Sequence, residues 1–300
     1  MNEATRDAFE QALDRQPVKG RSLYVDAWHR LLKNRASLAA LVVLVGMVVM
    51  VIFGPMISQW DHEIPDWDHY SIPPSLETDH WFGTDALGRD LYVRTMVGGR
   101  ISLLVGLVAT LVSLVIGVSY GAVAGYFGGR LDNLMMRAVD VIYALPFLFL
   151  VIVLMVVFGR NIFLIFVAIG AINWLDMARI VRGQTMSLKN KDFMEAARAS
   201  GATERQVILR HVVPNLLGVV VVYVTLTIPQ VILVESFLSF LGLGVQEPLT
   251  SWGALVNEGA QDLETAPWSL LFPAGFLAVT LFAFNFLGDG LRDALDPKDR

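Results

Sequence analysis

Three carboxylates, Asp140, Asp176 and Glu235, stand in or beside long apolar runs, where an ionisable group could move protons or ions. Counted from the ends of those runs, Asp140 and Asp176 fall near one boundary of a bilayer and Glu235 near the other. Glu235 lies roughly 30 Å from Asn215 at ~1.5 Å per helical residue. A proton-coupled carrier needs carboxylates at mid-depth, and none is there. Glu235 has two readings, a transport or gating group and a solvated or paired boundary residue. The histidines, His29, His62, His69, His80 and His211, all fall outside the apolar runs, so neither an intramembrane Ser–His pair nor a buried histidine metal cluster is expected. His80 to Asp90 holds Gly83, Gly88, Thr84 and Asp85, the composition of an ordered loop. A His–Asp pair there makes no metal site without further ligands. His80 and Asp85 therefore read as loop anchors, or as part of an outer gate or a contact for another protein. No lysine sits in a GxxxxGK[ST] loop, so the chain has no phosphate cradle of its own. With no cysteine, disulfides and thiolate metal sites are excluded.

A second cluster of chemistry lies in a basic stretch, Arg179 to Pro214. Glu195, Ala196, Ala197 and Arg198 precede Gly201, and the pattern predicts a short helix, a turn and a second short helix. Phe193, Ala197 and Ser200 share a face of the first; Val207, Ile208 and His211 share a face of the second. The small residues Ala196, Ala197 and Gly201 permit close approach of another surface, and Arg198, Arg205 and Arg210 can pair with its carboxylates. Two readings stay open from the residues alone, a protein-docking element and a basic loop held by lipid headgroups.

These groups must be positioned by membrane spans. The 300 residues are 55% hydrophobic and only 17% charged, with a mean hydropathy of +0.55; a soluble domain carries roughly 25% charged residues. Runs of about 20 apolar residues cross a bilayer. Six are expected, at 38–57, 101–129, 141–159, 162–175 (continuing past Asp176), 212–234 and 267–288, in an all-α integral membrane protein. Residues 58–100 form an outer segment, 101–291 a transmembrane domain with a loop at 183–214, and 292–300 a tail. The first apolar run follows 37 mostly polar residues without a cleavage site and reads as a retained span. With both termini cytoplasmic, 19 of the 23 Lys and Arg lie inside. Residues 58–100 carry eight carboxylates and 246–266 carry four, which makes the outer face unsuited to nucleic acid. Gly117, Gly121 and Gly125 repeat a small-xxx-small pattern for close helix contact. Pro146 and Pro229 predict kinks, and Trp252 and Trp268 an interfacial belt. Ser22 to Leu32 reads as a capped amphipathic helix at the membrane lipid interface, with Leu23, Ala27 and Leu31 on its apolar face and Trp28 a candidate to join them.

The stretch EAARASGATERQVILRHVVPN, Glu195 to Asn215, resembles the EAA loop of binding-protein-dependent ABC importer permeases, with Val213 where leucine is usual. HWFGTDALGRDLYVR (His80 to Arg94), EPLTSWGALVNEG (Glu247 to Gly259), FNFLGDGLRDALDPKDR (Phe284 to Arg300) and RSLYVDAWHRLLKNRA (Arg21 to Ala36) resemble the dipeptide/oligopeptide/nickel subfamily, most of all its oligopeptide members. The resemblance implies a type I ABC importer permease in a bacterial inner membrane. Its partners would be a homologous second permease, two ABC ATPase subunits and an extracytoplasmic peptide-binding protein. Glu195, Ala196, Ala197, Arg198 and Gly201 would couple to the ATPases. ATP and magnesium would be used by those subunits, while this chain would bind no cofactor or metal and catalyse nothing. Dipeptides, nickel chelates, haem and glutathione are the alternative cargoes. A stand-alone secondary transporter and a membrane enzyme are the remaining alternatives; sparse mid-membrane charge opposes the first, and the lack of a buried nucleophile–base pair the second.

Overall fold

The computed structural model describes residues 23–159 and 162–295, and these are helical apart from loops and a single bridge between Thr84 and Asp90. In chain order the helices are α1 (Leu23–Lys33), α2 (Arg35–Ile57), α3 (Leu91–Phe127), α4 (Gly129–Tyr143), α5 (Phe147–Phe158), α6 (Ile162–Lys189), α7 (Asp192–Ala199), α8 (Glu204–Val207), α9 (Val213–Phe240), α10 (Trp252–Gln261) and α11 (Trp268–Leu295). A π-helical turn, Ile208–Val212, joins α8 to α9. Among the described residues four helical stretches are long and apolar enough to cross a membrane: Arg35–Ile57, Leu91–Phe127, Glu204–Phe240 and Trp268–Leu295. The bent pair Gly129–Tyr143 and Leu148–Leu154, which meets at 84°, makes five if it is one span. The expected cap Ser22, the cation Arg160 and the end of the tail, 296–300, lie outside the described residues.

The apolar runs locate the helices but not their ends. α3 starts at Leu91, ten residues before the expected 101, because the Asp90 carboxylate caps it by accepting from the Val93 N–H at 2.8 Å. Two arginines therefore sit inside this helix. Arg94 is neutralised by Asp85 and Glu258. Arg100 donates to the carbonyl oxygens of Val51 and Ile52, each at 2.5 Å. The Val51 carbonyl is the one that Pro55, with no N–H, leaves unpaired inside α2. The stretch expected as one span at 141–159 is instead broken at Pro146, between α4 and α5, since proline disfavours helical geometry in the residue before it. Pro229, by contrast, stays within α9.

α3 and α6 form the most extensive helix pair. A β-carbon on Gly117 would lie 2.6 Å from Met177 Cβ, one on Gly121 2.9 Å from Val181 Cβ, and one on Gly125 2.6 Å from the Arg182 carbonyl. The glycine stripe is thus the seam that lets α6 lie on α3. α1 packs Ala27 and Leu31 against Ala294 of α11, while Trp28, on a different side, is half exposed. Trp252, expected in an interfacial belt, is completely buried, its indole N–H donating to the Thr95 carbonyl at 2.9 Å.

Candidate functional site

The basic stretch folds as an elbow. α7 ends at Ala199, and Gly201 follows with φ +81°. The Gly201 N–H donates to the Arg198 carbonyl (2.9 Å) and the Ala202 N–H to that of Ala197 (3.2 Å). This pair of bonds closes a helix with a left-handed residue, for which glycine is the unstrained choice. The next helix opens with a capping box, Thr203 and Gln206 satisfying each other's backbone N–H groups at 3.4 and 2.9 Å. At the entry to α9, Pro214 cannot donate to a carbonyl one turn earlier, and the π-helical turn precedes it.

Burial divides the elbow into two faces. Met194, Val207 and Val212 are fully buried with Tyr126, Ala122, Met177, Val181 and Leu216, from α3, α6 and α9. Glu195, Ala196, Arg198 and Gly201 are exposed, and Ala197 is half-buried. Phe193 and Ser200, which share a helical face with Ala197 by spacing, are also exposed. The residue that anchors α7 is Met194, which the sequence reading passed over. Arg198 sits over the Tyr126 ring at 5.6 Å and donates to the Lys189 carbonyl at 3.2 Å. The elbow is therefore clamped to the ends of three long helices and offers small and charged residues outward. Nearby, Arg182 grips Asp132 with two nitrogens and Arg179 pairs with Asp140 at 2.8 Å.

At the other end of α3, about 55 Å away at ~1.5 Å per residue, lies a second polar centre. Asp85 is buried and accepts from the backbone N–H groups of Leu87 and Arg89, from Arg89 Nε (2.8 Å) and from Arg94 (2.5 Å). Arg94 reaches Glu258 on α10 at 2.7 Å, and Arg89 reaches Glu247 at 2.7 Å. The Arg89 guanidinium holds the Glu247 carboxyl below the usual glutamate range. This network borders a cavity of about 560 Å³ that is also lined by Gln246, Asn257 and Asp262. His80 is fully buried, its Nδ1 on Asp90 Oδ2 at 2.8 Å. Burial pushes the Asp90 carboxyl up, against the lowering effect of its bonds to Val93 and His80. His80 and Asp85 thus hold the loop in shape and tie it to the start of α3. Arg89, Arg94 and Glu258 are the partners that spacing missed, though all three lie in the two quoted stretches His80–Arg94 and Glu247–Gly259.

Glu235 is neither solvated nor at a surface. It is completely buried, accepting from the hydroxyls of Ser102 (3.2 Å) and Ser239 (2.7 Å), while Ser102 Oγ also accepts from the Trp252 N–H (3.1 Å). It ties α3, α9 and α10 together beneath the ion network.

Comparison with known proteins places this arrangement. Residues 102–300 match the family described as binding-protein-dependent transport system inner membrane component, and residues 22–74 match the N-terminal TM domain of oligopeptide transport permease C. The chain is 57% identical over 299 residues to an oligopeptide transport system permease protein of Escherichia coli, with 100% of this chain and 98% of that protein covered. Its counterpart in Haemophilus influenzae is 54% identical over 303 residues, with 100% and 97% covered. A dipeptide transport system permease protein of Bacillus subtilis is 48% identical over 276 residues, with 92% and 86% covered. An apolar helical body with a clamped basic elbow, matched over this length and at these identities, belongs to the binding-protein-dependent transport system inner membrane component family.

Proposed function

We propose that this chain, with a homologous second permease, lines the membrane pathway of an ATP-driven importer for oligopeptides. Two ABC ATPase subunits power it from the cytoplasmic side and a peptide-binding protein feeds it from outside. The chain itself performs no catalysis, and ATP and magnesium act in the ATPase subunits. Six spans follow when the bent α4–α5 pair and α6 each count as one crossing, and the Lys and Arg bias puts both termini in the cytoplasm. The observation that carries the reading is the elbow, whose buried Met194 and Val207 fix it to α3, α6 and α9 while Glu195, Ala196, Arg198 and Gly201 face outward. A surface clamped in this way transmits a push from a docked ATPase into the bundle instead of yielding locally. Glu235, with His80 and Asp85 in the loop above it, belongs to the outer gate in this scheme, and its hydroxyl shell holds α3, α9 and α10 in one arrangement.

Oligopeptides are the cargo that two of the relatives name, while the Bacillus relative names dipeptides. Uptake of labelled di- to pentapeptides by a strain lacking this chain separates the two. Loss of tri- to pentapeptide uptake with dipeptide uptake retained supports the oligopeptide assignment. Loss confined to dipeptides overturns it and leaves the permease role standing.

A further inference from the structure

The loop before α3 gathers a further set of polar groups around His80. The Asp66 carboxylate accepts the Asp68 N–H on Oδ1 at 3.0 Å, which turns Oδ2 toward two imidazoles. His69 Nδ1 lies 2.8 Å from that oxygen and His80 Nε2 lies 3.3 Å from it. All three atoms fall within 4.8 Å of one another. Ligand atoms around a tetrahedral zinc with bonds of ~2.0–2.1 Å stand roughly 3.4 Å apart, so small side-chain shifts seat an ion among them.

The surroundings are those of a ligand set held in place. His80 Nδ1 points at Asp90 Oδ2, 2.8 Å away, and both side chains are buried. A carboxylate behind a ligating imidazole fixes its tautomer and leaves Nε2 as the donor to a metal. With Nδ1 facing Asp90, Nε2 faces the Asp66 oxygen across 3.3 Å, a gap that a cation bound to both can fill. Trp60 stacks on the His80 ring at 4.2 Å and 18°. The backbone clasps the set: the Asp66 N–H donates to the Gly88 carbonyl at 2.8 Å and the Thr84 hydroxyl to the His69 carbonyl at 2.8 Å. Gly88 has φ +78°, and a β-carbon there would come 2.5 Å from the Asp66 carbonyl oxygen. His69 is 38% exposed and Asp66 12%, so one side of the triangle opens to water.

We propose that Asp66, His69 and His80 bind one borderline divalent cation, zinc above magnesium or calcium, with water in the fourth position and Asp90 orienting His80. Two imidazoles and one carboxylate suit zinc, whereas magnesium and calcium call for oxygen ligands throughout. The ion would staple the loop that caps α3. His80 alone gave no such site by spacing; Asp66 and His69 reach it from 14 and 11 residues earlier in the chain.

The test uses the full, tag-free chain in detergent with its co-purifying subunits, stripped with a chelator and titrated with zinc chloride. One zinc per chain should survive gel filtration and raise the thermal midpoint. The half-exposed His69→Ala variant should fold yet bind at least tenfold more weakly. Asp90→Asn should weaken binding by about 10–100-fold. Cobalt chloride should give visible ligand-field bands in the wild type that His69→Ala lacks. Equal zinc retention by wild type and His69→Ala, or none by either, overturns the proposal.

Discussion

Substituting Gly201 separates the shape of the elbow from the surface it offers. Its φ of +81° places any L side chain in the left-handed region, at about 1–2 kcal/mol. That is a factor of about 5–30 in the population of the bent elbow. Beyond its two chain neighbours, no atom lies within 4 Å of the position a β-carbon would take, so no packed neighbour resists added bulk. Gly201→Ala then carries strain with little bulk. Gly201→Asn carries more bulk with less strain, because asparagine tolerates this region. Gly201→Asp adds a negative charge close in sequence to Glu195 and Glu204. Each variant is assayed for chain in the membrane, ATPase subunits co-purified per chain, and ATP-dependent peptide uptake. All three should reach the membrane, and ATPase retention should fall from Gly to Ala to Asn to Asp, with uptake falling alongside. Retention in Gly201→Asp equal to wild type would refute the docking surface. A more severe loss in Ala than in Asn and Asp would show that only backbone shape matters.

Three further outcomes follow from the packing and the charges. Glu235→Ala should lower stability by about 1–3 kcal/mol by stranding the Ser102 and Ser239 hydroxyls, whereas Glu235→Gln should stay within about 1 kcal/mol; thermal unfolding in detergent tells them apart, and equal losses would contradict the hydroxyl shell. Gly121→Ala forces α3 from α6 and should be destabilising by about 1–3 kcal/mol, while Gly46→Ala, whose β-carbon meets nothing within 4 Å, should be neutral or better. The Glu247 carboxyl is lowered in the folded chain by Arg89, so its stabilising effect is complete above the ordinary glutamate value of about 4.3 and is lost as pH falls through the depressed one. The midpoint difference between wild type and Glu247→Gln should therefore be flat above about pH 5 and shrink in more acidic buffer; a difference that grows on acidification would reverse the sign.

Local signals carried the elbow and the helix seam, because one sequence neighbourhood holds every residue involved. Gly201 after Glu195-Ala196-Ala197 marks a helix, a left-handed stop and a restart, and Gly117, Gly121 and Gly125 lie on one stripe of one helix. Span ends were not legible where a charge is neutralised from afar. Arg94 and Arg100 argue against helix at 91–100 only until Glu258 and the carbonyls of Val51 and Ile52 are placed beside them, and spacing cannot place groups some 50 or 160 positions away. Glu235 is only partly legible for the same reason: a carboxylate at the end of an apolar run reads as solvated or paired, and the serine on α3 that pairs with it lies 133 residues earlier. Pro146 signals a kink, but neither its 84° size nor the pairing of Asp132 and Asp140 on α4 with Arg182 and Arg179 on α6 is written in the local sequence.

Reconstitution in sealed vesicles tests the dependence of this chain on separate ATPases most directly. Labelled oligopeptide should accumulate only when this chain, the second permease, the ATPases, the peptide-binding protein and ATP are all present, and Gly201→Asp should abolish it. Accumulation by this chain alone, without nucleotide, would contradict the account.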